Sequence, residues 1–213
     1  IVLFTAGESV QGYGHSGARV AGVKTQYPAA LPHMVMKDVL GQVLPAGKTC
    51  EEMGVCFFSA EAVISIGSAF ESGRIPTSKT VTFVKKDGTT RIIETCIGTP
   101  IGNILEVYGE TINEFDRLIL GGPMTGSAVY ALDHPVQPDT DSIIVVDRDQ
   151  AAYVSDYPCI NCGECVRICP ANIQVNMLVR LLEAGQYEEA VDAYDLNSCI
   201  DCGLCSYVCV SKI

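Results

Sequence analysis

Short apolar runs alternate with helical patterns over residues 1–78, and this alternation predicts part of an α/β domain. Clustered or alternating apolar residues predict strands, whereas apolar residues three or four apart predict helices. The predicted strands are residues 1–4, 19–24 and 55–58, and the predicted helices are residues 31–43 and 60–71. Ser59 is a suitable N-cap for the second helix, and Gly73 and Pro76 would end its last turn.

From Thr80 onward the pattern changes to a two-residue alternation. Val81, Phe83 and Ile92 alternate with polar residues on the two sides of Asp87-Gly88, which is a typical hairpin turn. This stretch is therefore predicted to be a β-hairpin.

A helix and a further strand are predicted after the hairpin. Thr99-Pro100 offers an N-cap and a first turn for a helix over residues 101–108. Residues 118–120 then form a short apolar run that enters Gly121-Gly122-Pro123, which we interpret as a structural turn. Hairpin, helix and strand together predict a small β-grasp unit, and residues 133–141, rich in Pro and Asp, are predicted to connect it to the last part of the chain.

The last part of the chain is predicted to be mostly helical. Apolar residues at helical spacing predict a helix that Gly185 ends, and residues 186–194 predict a second, acidic helix. The stripe that we expect to pack into a core comprises Ile173, Met177, Leu178, Leu181 and Leu182. No apolar run approaches the roughly 20 residues of a spanning helix. The sequence begins at Ile1 without a recognisable leader, so we expect a soluble fragment or processed chain.

Composition narrows the classes of function. The 213 residues are 48% hydrophobic, which is too apolar for a disordered chain. The formal charge of -11 argues against nucleic acid as a partner, because phosphate binding requires a basic surface. The acidity lies after Thr80, where 19 acidic side chains face 8 basic ones, because positions 1–80 contribute 6 of each to the totals of 25 and 14.

Eight of the eleven cysteines carry the strongest chemical signal. They form two runs with the spacing C-x2-C-x2-C-x3-C, and the second run repeats the first at a constant offset. The first run is Cys159, Cys162, Cys165 and Cys169, and the second is Cys199, Cys202, Cys205 and Cys209. This spacing is typical of chains with two [4Fe–4S] clusters, in which the fourth cysteine of each run ligates the other cluster.

The crossed pattern gives two predicted ligand sets. Cluster 1 takes Cys159, Cys162, Cys165 and Cys209, and cluster 2 takes Cys199, Cys202, Cys205 and Cys169. The fourth cysteine is predicted to lie where a helix begins, and Gly163 and Gly203 are predicted to allow close backbone approach. The acidic residues nearby should lower the reduction potentials; they are Glu164, Asp201, Glu188, Glu189 and Asp192.

Other interpretations of the cysteines and motifs are weaker. A single zinc site needs four ligands rather than eight, and a disulfide framework would not produce duplicated runs. Cys50, Cys56 and Cys96 share no spacing and are predicted to be buried thiols. The G-x-G-x-x-G match at Gly12, Gly14 and Gly17 precedes no helix and is predicted to be a surface loop. His15, His33 and His134 are isolated, and we predict no metal binding by them.

Several motifs in this order resemble the C subunit of the Rnf complex (RnfC), a membrane-bound, ion-translocating ferredoxin:NAD⁺ oxidoreductase. They are the Tyr27-Pro28 pair, the Ile97-Gly98-Thr99-Pro100 turn, the segment Gly121-Gly122-Pro123-Met124-Thr125-Gly126 and the two cysteine runs. The resemblance covers nearly all of this chain but only the later part of the family's chain. A cobalamin reductase of propanediol-using microcompartments resembles the same layout.

The resemblance implies an α+β multidomain protein. Residues 1–78 would be a partial α/β segment like the flavin/NADH domain of the complex I 51-kDa subunit. Residues 79–132 would be a soluble-ligand-binding β-grasp (SLBB) domain, residues 133–149 a connector, and residues 150–213 an α-helical ferredoxin domain with two [4Fe–4S] clusters.

Two departures from the family pattern bear on the flavin. Pro32 stands near an expected glutamate, and residues 57–60 replace an asparagine-containing segment. Both remove polar groups that FMN would use, so we expect FMN in a full-length parent rather than in this segment.

The implied function is electron transfer within an Rnf-type ferredoxin:NAD⁺ oxidoreductase, and the segment alone is expected only to transfer electrons. The implied partners are other subunits of the membrane complex, a ferredoxin-type carrier, and NAD(H) through the full-length parent. The implied location is peripheral, on the cytoplasmic face of the bacterial inner membrane. The alternatives are a cobalamin-reductase-like or ligand-binding module with two clusters, and a purely structural role for the clusters.

Overall fold

The computed structural model describes residues 2–6, 18–151, 153–155 and 157–213. The chain forms two units, one comprising Ile1–Phe57 with Asp156–Ile213 and the other Phe58–Ser155. The strands are β1 (Val2–Ala6), β2 (Arg19–Val23), β3 (Ser78–Val84), β4 (Thr90–Cys96), β5 (Arg117–Leu120), β6 (Ser127–Val129) and β7 (Ser142–Val146). The α-helices are α1 (Pro32–Asp38), α2 (Ala60–Ser72), α3 (Ile101–Val107), α4 (Glu164–Ile168), α5 (Val175–Glu183), α6 (Tyr187–Asp192) and α7 (Leu204–Val208).

The unit Phe58–Ser155 is built on a five-stranded mixed sheet in the order β4-β3-β7-β5-β6. The predicted hairpin is confirmed, because β3 pairs antiparallel with β4. The register pairs Val81 with Ile93, so Ile93 is buried with Val81 and Phe83. Ile92 is 78% exposed on the opposite face, because neighbouring strand residues point to opposite sides. The inward residue of β4 is therefore one position later than the predicted alternation.

β7 was not predicted from the sequence, although it is the central strand of the sheet. It runs parallel to β3 and antiparallel to β5, and it lies within residues 133–149, which the sequence predicted as a connector. Its continuous apolar sequence buries Ile143 completely and Val145 to 2% exposure. Such a run is typical of a strand that is covered on both faces.

The helices of this unit begin in two different ways. The predicted Ser59 cap of α2 is confirmed, because the Ser59 hydroxyl accepts a hydrogen bond from the Ala62 amide at 3.1 Å. α2 ends at Gly73, whose φ of 66° is left-handed. The predicted Thr99 cap of α3 is wrong: Pro100 is the N-cap and makes no side-chain capping bond.

The core of this unit lies between α3 and the sheet. It contains ten buried apolar residues in the described part of the chain, namely Val81, Phe83, Ile93, Ile101, Ile104, Leu105, Leu118, Val136, Ile143 and Val145. Lys79 is also buried, with its ammonium donating to the Pro138 carbonyl at 2.6 Å and lying 3.7 Å from Glu61. Buried ammonium groups need such partners because unpaired charges are costly away from water.

In the other unit, the predicted strands near residues 1–4 and 19–24 form a parallel pair, β1 and β2. The helix predicted over residues 31–43 is shorter, because α1 ends at Asp38 and Gly41 adopts a left-handed φ of 69°. Residues 55–58 are irregular rather than the predicted strand, and the Val55 amide bonds instead to the Cys50 carbonyl at 2.9 Å.

The two helices predicted between the cysteine runs are confirmed as α5 and α6. Gly185, with a φ of 71°, separates them as predicted. The buried residues Ile173, Leu178, Leu181 and Ala190 form the local core. The two cysteine runs precede and follow this helical pair in the sequence, and their short helices α4 and α7 contact each other in the fold.

Candidate iron–sulfur centre

The two cysteine runs have the same backbone conformation at equivalent positions. Asn161 and Asp201 have left-handed φ angles of 58° and 50°, and Gly163 and Gly203 have φ angles of 78° and 72°. Each glycine is the N-cap of a five-residue helix, α4 or α7. The duplication visible in the sequence is thus a duplication of structure.

The fourth cysteine of each run lies at the end of a helix and not at its beginning, so that prediction is wrong. Cys169 and Cys209 are the extended C-caps of α4 and α7, with φ angles of -65° and -61°. The glycine starts the helix early, within the C-x2-C-x2-C loop, and the short helix then carries the chain to the fourth cysteine.

A cavity of about 60 Å³ brings the first three cysteines of one run together with the last cysteine of the other. Its cysteine lining is Cys159, Cys162, Cys165, Cys205 and Cys209. Ile160, Val175, Val179 and Ile213 provide apolar wall. Four of the five thiols are the set predicted for cluster 1, including the crossed residue Cys209.

The second predicted set contributes Cys205 to this cavity. Within that set Cys202 is 8% exposed, Cys169 packs against the core of α5 and α6, and Cys199 is exposed. The Cys199 thiol donates to Asp201 Oδ1 at 3.6 Å.

One thiol of each run, Cys165 or Cys199, lies in surroundings that disfavour its ionised form. Burial raises the pKa of the Cys165 thiol, and the neighbouring Cys159 and Cys162 sulfurs raise it further. Burial also raises the pKa of the Cys199 thiol, and the charge of the Asp201 carboxylate raises it further. Because thiolates are the metal ligands, a bound cationic iron core would supply the charge that stabilises them.

Arg167 moderates the acidic character predicted for the first run. Its guanidinium forms an ion pair with Glu164, and Nη2 lies 3.4 Å from the Cys162 carbonyl oxygen. The Glu164 carboxylate is the main cause that raises the pKa of Arg167. Glu164 therefore contributes less uncompensated negative charge near the first run than the sequence indicated.

Two contacts attach the segment before Cys50 to the second run and to the residues just before that run, and sequence reasoning did not identify either one. The Tyr27 hydroxyl donates to the Cys202 carbonyl oxygen at 2.5 Å, and the Gly47 amide donates to the Asn197 carbonyl at 3.0 Å. Burial, followed by the nearby Cys202, raises the pKa of Tyr27. The Tyr27-Pro28 motif was visible in the sequence, but its partner lies 175 residues away.

The remaining candidates of the sequence analysis have other positions. Cys50 is buried as predicted, whereas Cys56 and Cys96 are exposed, because Cys56 lies in an irregular segment and Cys96 ends the edge strand β4. Gly121 acts as a structural turn, since its amide bonds to the Ser142 carbonyl at 2.9 Å. The motif at Gly12, Gly14 and Gly17 lies outside the described residues.

The residues present fit iron–sulfur clusters by the chemistry of their donors. Eight thiols in two equivalent loops provide two sets of four, which is the number that each [4Fe–4S] cluster requires. In the described part of the chain, no three His, Cys, Asp or Glu side chains converge as ligands of a single ion do. The first set instead surrounds a cavity.

Comparison with known proteins also indicates an iron–sulfur domain at the cysteine runs. Residues 158–213 match the family of 4Fe-4S dicluster domains. The chain is 28% identical to the C subunit of the ion-translocating oxidoreductase complex of Buchnera aphidicola, over 92% of this chain and 41% of the relative. It is 31% identical to the protein of the same name from Rhodobacter capsulatus, over 79% of this chain and 33% of the relative.

A third relative carries a more specific name. It is the C subunit of the proton-translocating ferredoxin:NAD(+) oxidoreductase complex of Clostridium ljungdahlii, which is 30% identical over 84% of this chain and 39% of the relative. The cobalamin-reductase alternative is not favoured by these relatives. None of the helices described here is long and apolar enough to cross a membrane.

The chain spans about a third to two fifths of the length of these relatives. The resemblance inferred from the motifs is confirmed: over most of its length, this chain is similar to the C subunits (RnfC) of ion-translocating oxidoreductase complexes and ends in a 4Fe-4S dicluster domain.

Proposed function

We propose that this chain is the electron-transfer part of the C subunit of a membrane-associated, Rnf-type ferredoxin:NAD⁺ oxidoreductase. The observation that carries the proposal is the cavity in which Cys159, Cys162 and Cys165 meet Cys209. The names of the relatives, which include proton- and Na⁺-translocating ferredoxin:NAD⁺ oxidoreductases, support the wider assignment.

Two [4Fe–4S] clusters are the proposed cofactors. Cluster 1 is held by Cys159, Cys162, Cys165 and Cys209, and cluster 2 by Cys199, Cys202, Cys205 and Cys169. When bound, such clusters supply one-electron redox chemistry. Cys205 lines the cavity of the first set while belonging to the second, which favours two centres that lie close to one another.

The residues around the cysteines orient the ligands and exclude water. Asn176 on α5 donates to the Asn161 side chain at 2.7 Å and so fixes the first loop against the helical pair. Tyr27 holds the carbonyl of Cys202. The apolar wall of the cavity limits solvent access, which is one of the factors that set the potential of a cluster.

The domain organisation is proposed on the same basis. Residues 1–78 belong to a partial flavin/NADH domain like that of the complex I 51-kDa subunit, and residues 79–132 to an SLBB-type β-grasp domain. The parallel pairing of β3 with β7 supports the β-grasp assignment, and it indicates that the sheet takes its central strand from residues 133–149. Residues 150–213 form the ferredoxin domain.

FMN and NAD(H) are proposed to bind to a longer parent chain. Pro32 starts α1, and residues 57–60 lead into α2, so neither segment presents the polar groups that a flavin would require. The proposed partners are other subunits of the complex and a ferredoxin-type carrier, at the cytoplasmic face of the bacterial inner membrane.

Iron analysis after anaerobic expression tests the cofactors. We expect about eight irons per chain and no flavin. Cys96→Ala is the matched control, because this exposed cysteine belongs to neither run and the variant should keep all of its iron. Iron near zero in the unaltered chain would contradict the proposal, and bound FMN would contradict the assignment of flavin to a longer parent.

Two double variants test the crossed ligation. Cys165→Ala with Cys209→Ala removes two ligands of the same proposed cluster, so about four irons should remain. Cys165→Ala with Cys169→Ala removes one ligand from each cluster and should lose both. The opposite order would mean that each run holds its own cluster, and equal iron in the two variants would also contradict the crossed assignment.

A further inference from the structure

A second cavity lies beside the second cysteine run, and neither the proposed function nor the names of the relatives assign it a role. Its volume is about 240 Å³, against about 60 Å³ for the cavity among the cysteines. Sites for small molecules commonly start at roughly 300 Å³, so a compact ligand would fit. Both of its walls belong to the same unit of the chain.

The walls come from two distant parts of the sequence. One wall contains His33, Met34, Lys37, residues 43–46 and Lys48, and the other contains residues 170–172, Asn197, Ser198 and Ile200. The Gly47 amide donates to the Asn197 carbonyl at 3.0 Å and joins the two walls. A Cβ atom at Gly47 would lie 3.8 Å from the Asn197 side chain, at ordinary van der Waals distance.

The charge of the lining is unlike that of the molecule. The lining includes Lys37, Lys48 and His33 and contains no Asp or Glu among the described residues, whereas the whole chain has a formal charge of -11. Lys48 forms an ion pair with Glu52, with 3.1 Å between Nζ and Oε1, and Glu52 lies outside the lining. Lys37 forms no ion pair within the part of the chain that the structure describes.

Polar groups that accompany the cations could orient a bound ligand. Asn172, Asn197 and Ser198 lie in the same lining, and amide and hydroxyl groups donate hydrogen bonds to phosphate or carboxylate oxygens. Val43, Leu44 and Ile200 add apolar wall. A few polar groups set in a largely apolar surface is the usual composition of a small-molecule site.

We propose that this cavity binds a compact anion carrying phosphate or carboxylate groups, held between Lys37 and Lys48 against the second cysteine run. Pro170 follows Cys169, and Ser198 and Ile200 flank Cys199, so the anion lies beside two proposed ligands of cluster 2. The position of the anion beside cluster 2 rests on the proposed function, whereas the binding of the anion does not.

Calorimetric titration of the iron-loaded chain with inorganic pyrophosphate, and separately with citrate, tests the site. We expect saturable binding of one anion per chain, and the tighter of the two probes identifies phosphate or carboxylate as the preferred group. Lys37→Gln should weaken binding by about tenfold, since it removes a charge-assisted contact. Lys37→Gln with Lys48→Gln should abolish it.

Lys24→Gln is the matched control, because it removes the same charge from an exposed position outside the cavity and should bind as the unaltered chain does. Absence of saturable binding for both anions would overturn the proposal, and so would equal weakening by Lys24→Gln and Lys37→Gln. Iron analysis of the same samples separates the two proposals. A chain that takes up no iron but binds an anion saturably would overturn the proposed clusters and leave the anion site standing.

Discussion

Tyr27 and Asp116 each connect stretches of chain that are distant in sequence. Tyr27 reaches the Cys202 carbonyl, 175 residues away. Asp116 accepts hydrogen bonds from the backbone amides of Asn113 at 2.6 Å and Arg148 at 3.0 Å, and its carboxylate lies 2.5 Å from the Lys86 ammonium. Changing single atoms of these side chains is therefore expected to alter stability measurably.

Tyr27→Phe should destabilise the segment around the second cysteine run. The change removes only the hydroxyl, so the expected loss is that of one hydrogen bond, about 1 kcal/mol in the free energy of unfolding. Anaerobic urea unfolding of the iron-loaded chain, followed through the visible absorption of the clusters, measures it. Tyr187→Phe is the control, since Tyr187 is 63% exposed, and an equal effect of both changes would contradict the role of Tyr27.

Asp116 should make the unit Phe58–Ser155 sensitive to acid. The Lys86 ammonium, followed by the Asn113 amide, lowers the pKa of Asp116. A carboxyl whose folded pKa is depressed contributes stability above its unfolded pKa of about 3.9, and loses it as the pH falls through the folded value. The hydrogen-exchange protection of residues 58–155, measured relative to the intrinsic exchange rate at each pH, should therefore fall below about pH 4.

Asp116→Asn removes this titration, so the variant should be less protected at pH 7, and its protection should change less between pH 7 and pH 3. Asp139→Asn at an exposed position should behave as the unaltered chain does. A pH profile unchanged by Asp116→Asn would contradict the assignment.

At the scale of elements, the glycine segment after β5 is a close-packed turn. The Gly126 amide donates to the Gly122 carbonyl at 2.7 Å, and the Ser142 hydroxyl of β7 donates to the Gly121 carbonyl at 2.6 Å. A Cβ atom on Gly126 would lie 2.6 Å from the carbonyl oxygens of both Gly122 and Leu120. The segment thereby connects β5 to the central strand.

Gly126→Ala and Gly67→Ala should shift stability in opposite directions. The first forces backbone atoms apart and should lower the free energy of unfolding by about 1–3 kcal/mol. The second lies inside α2 with no atom within 4 Å of the added Cβ, and should raise it by about 0.5–1 kcal/mol. Thermal unfolding of the two variants measures both, and equal signs would contradict the packing described for the turn.

Periodicity predicted those elements whose faces differ in exposure. β3 and α5 follow the expected patterns, because their buried apolar residues are spaced as a strand and a helix require. α2 was recognised from its cap and its end signals instead, since it buries none of its residues and exposes Val63, Ile64 and Phe70. β7 is apolar throughout after its first residue, so it has no period, and its Pro- and Asp-rich flank indicated a connector. Residues 55–58 have strand composition but form no strand, because composition does not supply a pairing partner.

At the scale of the whole molecule, we expect the two units to depend differently on metal. The ten-residue core of Phe58–Ser155 consists of apolar side chains alone, whereas the core of the cysteine-rich region has four buried residues in the described part of the chain. Metal binding often supplies the folding free energy that a small core lacks.

Anaerobic removal of iron with a chelator should therefore act locally. Residues 157–213 should lose hydrogen-exchange protection, while residues 78–146 should keep theirs, as measured by mass spectrometry. The Cys96→Ala chain, treated identically, should show the same contrast. Unchanged protection in residues 157–213 after complete iron loss would contradict a stabilising role for the clusters.

The site was predictable only in part. Spacing alone identifies the eight cysteines, because short loops must wrap thiols around a cluster. The cationic cavity could not be predicted, because Lys37 and Asn197 meet only through the folding of segments 160 positions apart, as 197 minus 37. The net charge of a long stretch of sequence likewise does not show that His33, Lys37 and Lys48 line one cavity.

The cavity shared by Cys159 and Cys209 also constrains how the protein can be made. The two residues are separated by 50 positions, as 209 minus 159. A nascent chain therefore contains Cys159, Cys162 and Cys165 well before Cys209 is synthesised. With crossed ligands, neither cluster can be closed during synthesis of the first run. Under the proposed ligation, we therefore expect iron delivery to follow the synthesis of both runs, with the early thiols protected from oxygen until then.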